Sequence, residues 1–147
     1  EKDKTYKLNI NNYIGRKSLN KVTEIKKIKF TIQSVDTYMD YQTYNIQVEN
    51  NTDNTILLDT GENTKSVYLL DSNKMKYYFY NNELIKEKMK IQGKYKTTIK
   101  IKFNNSYSSS KTIKKMIFSN VILNYEDYNK TEDKSQYKDI EKIEINV

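Results

Sequence analysis

Lysines that could bind anions are concentrated in one stretch of the chain. Residues 86–115 contain ten lysines and a single acidic residue, Glu87. Residues 94–103 alternate between polar and apolar types, and alternate residues of a β-strand share one face. The lysines on that predicted face are Lys94, Lys96, Lys100 and Lys102. A phosphate-rich ligand would bind such a face with an affinity that falls steeply as the salt concentration rises.

An aromatic run at residues 77–80 provides a second candidate site. In a strand, Tyr77 and Phe79 would face the core, whereas Tyr78 and Tyr80 would share the opposite face with Lys76. Tyrosine rings can stack on bases or sugars. Lys76, Tyr78 and Tyr80 are therefore candidate binding residues, and core packing accounts for the inward pair.

The composition offers another explanation for the abundant lysines. The chain of 147 residues has a net charge of +7, with 25 Lys against one Arg, 18 Asn, and no Ala or Pro, which is typical of an AT-rich genome. Lysine also lacks the bidentate guanidinium that specific phosphate recognition favours. The lysine face is thus either a site for an anionic polymer or a solvated surface, and the near absence of arginine argues against nucleic acid as the partner.

Several kinds of catalysis are excluded because the chain has no histidine and no cysteine. Imidazole acid–base catalysis, thiolate chemistry, disulfides and cysteine-based metal sites all require those residues. Ser108, Ser109 and Ser110 beside Lys111 have the composition of a loop, and a catalytic lysine needs burial to lower its pKa. We expect a noncatalytic protein with no cofactor and no metal.

Oxygen-bearing side chains at predicted turns are the remaining candidates for chemistry. A glycosidase needs two carboxylates held in a cleft, whereas carboxylates at turns usually cap and solvate. Two loops also group donors that calcium favours, but neither has the spacing of an EF-hand. We interpret both groups as turn formers. The candidate glycosidase carboxylates are Asp59, Glu62, Asp71 and Glu83. The two candidate calcium loops contain Asn50, Asn51, Asp53 and Asn54, and Asp59, Glu62 and Asn63.

The elements that would position these residues are predominantly β-strands. Residues 28–32, 44–49 and 95–103 alternate with period two, and turn formers occupy residues 50–54 and 71–74. This pattern predicts an all-β sandwich or barrel of seven to nine strands. One or two short helical turns remain open, because apolar residues are spaced three apart at Leu19, Val22 and Ile25 and again at Tyr137, Ile140 and Ile143.

We expect a single domain with distinct end segments. Residues 1–21 would form an N-terminal tether or first edge strand, residues 22–125 the sandwich, and residues 126–147 an acidic polar segment with a terminal edge strand. The acidic segment is hypothesised to fold back over the basic face. No apolar run reaches about 18 residues, and the charged start at Glu1 suggests a chain processed after a signal or lipid anchor.

The order of three motifs resembles a known family over about residues 22–125. The strand ending at Val48 continues into Asn50-Asn51-Thr52-Asp53, the run Tyr68-Leu69-Leu70-Asp71-Ser72-Asn73 precedes an aromatic strand, and Gly93 precedes the strand that ends at Phe103. This arrangement resembles the Ig-like, immunoprotective-antigen-like domain of unknown function found in Gram-positive secreted proteins and lipoproteins. One departure is that Asn73-Lys74 stand where the family favours glycine, and Asn73 could supply the positive φ of the turn.

The resemblance implies a two-sheet Ig-like sandwich, an extracellular or cell-surface location and no catalytic residues. We therefore expect a noncatalytic module for binding, adhesion or spacing, with an anionic cell-wall polymer or another surface protein as its partner. The alternative function is binding of an anionic polymer through the lysine-rich face, whether teichoic acid, nucleic acid or an anionic membrane surface.

Overall fold

The computed structural model describes residues 12–60, 65–80 and 87–147, which form two antiparallel sheets packed face to face around one core. The first sheet has four strands in the order β1-β2-β3-β8. Its strands are β1 (Tyr13–Ile25), β2 (Ile28–Tyr38), β3 (Gln42–Asn50) and β8 (Lys96–Phe103). We call it the four-stranded sheet.

The second, six-stranded sheet is centred on β9 (Ile113–Ile122). One edge of β9 pairs with β10 (Ile140–Asn146), and its other edge is shared end to end by β5 (Val67–Asp71) and β4 (Ile56–Leu58). β5 then pairs with β6 (Lys76–Tyr78), and β4 pairs with β7 (Lys90–Ile91).

Helices are few and short in the described part of the chain. They are α1 (Tyr107–Ser110), α2 (Tyr125–Lys130) and single 3-10 turns at Glu87–Met89 and Lys134–Gln136. None of these helices has the length and apolar content needed to cross a membrane. The predicted all-β sandwich is confirmed, with ten strands because β4, β6 and β7 add segments of two or three residues.

The core is built from the alternating residues that the sequence pattern assigns to it. The inward side chains of the two central strands and β8 are completely or almost completely buried, and they are Ile28, Phe30, Ile32, Tyr44, Ile46, Val48, Ile99, Ile101 and Phe103. Phe30 stacks on Phe118 of the opposite sheet, with ring centroids 5.3 Å apart. Burial of each such side chain contributes roughly 1.5–3 kcal/mol, so this interior is the main source of stability.

The apolar spacing at Leu19, Val22 and Ile25 belongs to a strand, so the helical interpretation is wrong there. These residues lie in β1, whose pairing with β2 is irregular between Ser18 and Lys21. Leu19 and Ile25 pack against the core, whereas Val22 is 57% exposed on the other face. A β-bulge inserts one extra residue and thereby breaks strict alternation.

The second three-residue spacing is mostly strand as well. Tyr137 follows the single 3-10 turn, and Ile140 and Ile143 both lie in β10. The pairing of β10 with β9 shifts register between Glu141 and Ile143. The extra residue of this bulge lies in β9, so β10 alternates regularly, and Ile140 (40% exposed) and Ile143 (completely buried) lie on opposite faces. At the other end of the chain, β1 crosses the boundary predicted at residues 21 and 22, and residues 1–11 lie outside the described residues.

Two hairpin turns place lysines in the left-handed backbone region. Lys26 and Lys27 connect β1 to β2 with φ values of 55° and 65°, a conformation that favours glycine or asparagine. In the β5–β6 hairpin the positive φ of 65° falls on Lys74. The expectation that Asn73 would adopt it is wrong, because the backbone N–H of Asn73 is held by the carboxylate of Asp71 at 2.9 Å.

The turn after β3 is organised by the side chain of Asn50, which is completely buried. Its Nδ2 donates to the carbonyl oxygens of Asn54 (2.8 Å) and Ile91 (2.9 Å). Its Oδ1 accepts from the backbone N–H of Thr52 (3.1 Å) and from the Thr52 hydroxyl (2.6 Å). One amide therefore ties the loop after β3 to β7 in the opposite sheet.

Gly93 lies directly against this turn. A Cβ built on Gly93 would be 2.7 Å from the carbonyl carbon of Asp53 and 2.9 Å from the carbonyl oxygen of Thr52. Distances this short do not occur for real side chains, so the backbones approach closely because residue 93 has none. The Asn50–Asp53 turn and Gly93, which carried the family resemblance, thus form one structural unit.

Candidate binding surface

Three of the four predicted lysines project from the outer face of β8. Lys96 and Lys100 are exposed and Lys102 is partly buried, whereas the intervening Ile99 and Ile101 point into the core. Within the described residues, no acidic group lies within ion-pair distance of Lys96, Lys100 or Lys102. None of these three ammonium groups is therefore neutralised by an ion pair with a described residue, and Glu49, which lies opposite Lys96 in the register, pairs with Lys29 instead.

Lys94 does not belong to that face, and the predicted placement is wrong. It precedes β8 in a turn with φ of 67°, and its Nζ lies 3.0 Å from the carbonyl oxygen of Asn51 and 3.4 Å from a carboxylate oxygen of Asp53. Strict alternation over residues 95–103 would place Tyr95 on the same face as Ile99 and Ile101, but Tyr95 also precedes β8 and is 64% exposed. The close packing of Gly93 diverts the chain before the strand begins.

Lys102 is held between two tyrosine rings. Its Nζ lies 4.1 Å from the ring centroid of Tyr41 and 4.4 Å from that of Tyr80. An ammonium over an aromatic face is attracted by the ring quadrupole, so both rings fix the position of the lysine. Tyr80 reaches this site because its backbone N–H donates to the carbonyl oxygen of Lys102 (2.8 Å), which joins the end of β6 to β8.

The aromatic contacts continue across the whole sheet. Tyr41 stacks on Tyr38 with a centroid distance of 4.4 Å and an interplanar angle of 15°, and Tyr38 contacts Tyr13 at 5.1 Å. Tyr13 is 40% exposed and Tyr80 is 50% exposed, so both ends are open to solvent. We name the continuous row the tyrosine–lysine strip, and it consists of Tyr13, Tyr38, Tyr41, Lys102 and Tyr80.

A buried carboxylate anchors the Tyr13 end of the strip. Asp36 is 5% exposed and accepts two hydrogen bonds from Arg16, from Nε at 2.7 Å and from Nη2 at 2.9 Å. Asn45 donates to the same carboxylate at 3.3 Å, and the Tyr13 hydroxyl donates to it at 3.3 Å. Arg16 is the only arginine of the chain, and its guanidinium binds both oxygens of the carboxylate, a geometry that lysine cannot reproduce.

The pKa of Asp36 is lowered by this environment. The hydrogen bond from Arg16 is the largest cause, burial acts in the opposite direction, and Asn45 adds a further lowering. The carboxylate therefore stays ionised beside the strip. Burial and the nearby charge of Asp36 raise the pKa of Tyr13, so its hydroxyl remains a neutral donor.

We expect Asp36→Asn to lower the free energy of unfolding at neutral pH by about 2 kcal/mol, because the charge-assisted bonds to Arg16 are lost. A carboxylate whose pKa is lowered in the folded state stabilises the protein above its ordinary pKa of about 4 and loses that contribution as pH falls. The difference between the native protein and the variant should therefore shrink below about pH 4. Urea unfolding across this pH range measures it.

The matched control is Lys29→Gln, which removes a more exposed pair on the same face. Lys29 and Glu49 are 3.7 Å apart, and surface pairs of this kind contribute at most about 1 kcal/mol. A constant difference between Asp36→Asn and the native protein at every pH would contradict the role assigned to the ionised carboxylate.

The predicted cluster of Lys76, Tyr78 and Tyr80 is divided between the two sheets. Lys76 and Tyr78 lie in β6, where the Lys76 Nζ is 4.7 Å from the ring of Tyr68 and Tyr68 packs edge-on to Tyr78 at 5.9 Å. Tyr80 instead contacts Lys102 of the four-stranded sheet. The chain crosses between sheets after β6, and Phe79 forms an isolated bridge to Phe103 there.

The acidic C-terminal segment does not cover the outer face of β8. It continues as α2 and then β10, which pairs with the edge of β9 in the other sheet. Glu144 of this segment forms an ion pair with Lys115, at 3.6 Å, in the other sheet. The hypothesis that this segment screens the basic face is therefore wrong for the lysines of β8.

The remaining chemical candidates have structural roles in the described residues. The hydroxyl groups of Ser109 and Ser110 donate to the backbone carbonyls of Ser106 and Tyr107, and Asp71 accepts from the turn that follows it. No group of three or more acidic side chains in residues 12–60, 65–80 and 87–147 is arranged to hold a metal ion. Lys86 and three candidates at turns lie outside the described residues, namely Glu62, Asn63 and Glu83.

The sequence predicted Lys102 and Tyr80 as binding residues of this surface. It did not identify the other residues of the site, which are Tyr13, Tyr38, Tyr41, Arg16 and Asp36. The available signals were weak, namely two tyrosines flanking the β2–β3 hairpin and a lone arginine in a lysine-rich chain. Neither indicates which strands are neighbours. The strip therefore required the three-dimensional arrangement.

No family model matches the sequence, and no curated protein matches it. A solved structure of a functionally unknown protein from Listeria monocytogenes EGD-e is similar over 93% of this chain and 82% of its own, with a TM-score of 0.50 and 8% identity. A conserved hypothetical protein from Bacillus anthracis is similar over 86% of this chain and 95% of its own, with a TM-score of 0.46 and 11% identity. The likeness to the Listeria protein shows the sandwich fold alone.

Proposed function

We propose that this protein is a noncatalytic Ig-like binding module of the extracellular or cell-surface compartment, and that the outer face of the four-stranded sheet is its recognition surface. The observation that carries the proposal is the tyrosine–lysine strip, which draws side chains from β1, β2, the β2–β3 hairpin, β8 and the residues after β6. The resemblance of residues 22–125 to secreted Ig-like domains supports the location.

The composition of the strip supports recognition. Tyrosine offers a large, rigid contact area at low cost in conformational entropy, and binding hot spots are enriched in it. The rings hold Lys102 in place before any ligand arrives, and the pair of Arg16 with Asp36 fixes the Tyr13 end. Preorganisation of this kind reduces the entropy lost on binding.

A second candidate specifies the ligand as an anionic polymer, such as a teichoic acid of the cell wall. It is favoured by the exposed Lys96 and Lys100, which lie on the same face and have no acidic partner within the described ranges. The free ammonium groups would bind phosphates while the tyrosine rings contact the sugar units.

The test measures binding of the purified protein to immobilised teichoic acid, single-stranded DNA and anionic vesicles. We expect teichoic acid to bind, with an affinity that falls about tenfold between about 50 and 200 mM salt. The combined variant Lys96→Gln, Lys100→Gln and Lys102→Gln should bind at least about tenfold more weakly, and Tyr41→Ala with Tyr80→Ala about fivefold more weakly.

Two control variants test whether a loss of binding is specific to this surface or follows from removing any positive charge or any exposed ring. Lys65→Gln, Lys130→Gln and Lys138→Gln remove the same charge from exposed positions outside β8, and Tyr95→Ala removes an exposed ring outside the strip. Both should leave binding within about twofold. Equal losses in the control variants would reject the strip as the recognition surface, and absence of binding to every polymer would reject the anionic-polymer candidate.

A further inference from the structure

A cavity of about 360 Å³ opens at one end of the sandwich, between the two sheets. Its walls come from β1, β2 and β3 on one side and from α1, β9 and Val147 on the other. Its volume falls within the range of small-molecule sites. The tyrosine–lysine strip lies on the outer face of the same sheet, so the two features use different surfaces of β2 and β3.

The floor of the cavity is polar and deeply buried. Gln42 is 3% exposed and Tyr44 is 1% exposed, and both line the cavity together with Thr37. The Tyr44 hydroxyl donates to Gln42 Oε1 at 3.1 Å, and Gln42 Nε2 donates to Thr37 Oγ1 at 2.9 Å. Burial raises the pKa of Tyr44, so its hydroxyl remains a neutral donor.

A further polar group lies behind this floor. Asn105 is completely buried, and its Nδ2 donates to Gln42 Oε1 at 2.6 Å. Its Oδ1 has no hydrogen-bond partner among the described residues. Unsatisfied buried polar atoms are rare and costly, and apolar residues here would close the end of the core more stably. Through its bond to Gln42, Asn105 fixes a residue that lines the cavity, although Asn105 itself is not part of the lining.

The rim of the cavity is cationic, and one wall is aliphatic. Lys17, Lys111 and Lys114 line it, and no acidic side chain does so among the described residues. Leu19, Val35, Ile113 and Val147 supply the apolar lining. A ligand that contacts both the lysines and the aliphatic wall would have an anionic head and a short apolar body, and it would be small enough to fit the cavity.

We infer that this end cavity binds a small organic anion, with its charged group among Lys17, Lys111 and Lys114 and its apolar body between the sheets. A carboxylate and a phosphate monoester share the required chemistry. This site does not depend on the tyrosine–lysine strip.

The experiment titrates the isotope-labelled protein with hexanoate, phenyl phosphate, inorganic phosphate and the neutral analogue hexanamide, and follows the resonances by NMR. We expect saturable shifts at Val35, Gln42 and Ile113 with hexanoate or phenyl phosphate, and which of the two binds more tightly identifies the head group. Inorganic phosphate and hexanamide should each bind at least about fivefold more weakly, because each lacks one of the two required parts.

Two pairs of exposed lysines provide the matched variants. Lys17→Gln with Lys114→Gln should weaken binding of the preferred anion by about tenfold, whereas Lys65→Gln with Lys138→Gln, at exposed positions outside the cavity lining, should change it by less than about twofold. The inference is overturned if neither organic anion gives saturable shifts, if hexanamide binds equally well, or if the variant at Lys17 and Lys114 keeps the native affinity. None of these outcomes bears on the strip, whose own test uses Lys96, Lys100 and Lys102.

Discussion

Gly93→Ala is expected to lower the free energy of unfolding by about 2–3 kcal/mol. The added methyl group would lie within 3 Å of backbone atoms of Thr52 and Asp53, which cannot move aside as a flexible side chain can. Overpacking of this kind typically costs about 1–3 kcal/mol, a large share of the roughly 5–15 kcal/mol that stabilises a domain. Denaturation by urea, monitored by tyrosine fluorescence and far-UV circular dichroism, measures the loss.

Gly15→Ala is the matched control for that experiment. No atom lies within 4 Å of a Cβ built at Gly15, so the same chemical change has open space. We expect its effect to be within about 0.5 kcal/mol, since alanine in a strand is no worse than glycine. Similar losses in the two variants would show that the close approach at Gly93 is not what requires glycine.

Asn50→Ala is expected to cost about 3 kcal/mol. The substitution removes two bonds donated by Nδ2 and leaves the carbonyl oxygens of Asn54 and Ile91 without that donor, while the N–H and hydroxyl of Thr52 lose their acceptor. Unsatisfied buried groups cost about 1–3 kcal/mol, and a small cavity adds to this. The midpoint of urea unfolding should fall with little change in slope.

The neighbouring residue supplies the control, and a second variant tests the direction of the bonds. Asn51 is exposed, so Asn51→Ala should change stability by less than about 0.5 kcal/mol. Asn50→Asp keeps an acceptor for Thr52 but directs an oxygen at two carbonyl oxygens, and it should be at least as harmful as alanine. Near-native stability of Asn50→Asp would contradict the assigned hydrogen bonds.

Asn50 and Gly93 explain why the residues of the family-like motifs occur where they do. Asn50, Thr52 and Asp53 belong to the turn against which Gly93 packs, although residues 50 and 93 are far apart in the chain. Their residue types are dictated by a buried amide and a close backbone approach. The motifs that suggest a family therefore specify a corner of the fold, and they carry no information about a ligand.

The fold was predictable to the extent that local patterns determine it. Ile28, Phe30 and Ile32 alternate with polar residues and are all buried, as the period-two rule requires. The predicted facing of side chains is wrong where a local irregularity interrupts the alternation, as at the bulge near Asn20 and the turn at Lys94. A bulge depends on the partner strand, so the sequence of one strand does not reveal it.

The candidate surface was less predictable because it is assembled from distant segments. Tyr13 and Tyr80 belong to the same strip, yet the order of the strands decides that they share a sheet face. Alternation did assign Lys96, Lys100 and Lys102 to an outer face. It could not show that Tyr41 would contact Lys102, because nothing local to either residue identifies β3 and β8 as neighbours.

Four lysines have a backbone φ in the left-handed region, and this bears on how the protein could be stabilised. They are Lys26, Lys27, Lys74 and Lys94. Non-glycine residues in this conformation cost of order 1 kcal/mol each, and a chain with three glycines has placed lysines there instead. These turns are separate from both the strip and the floor of the end cavity. They are therefore positions where thermostability could be raised by glycine or asparagine without altering either candidate site.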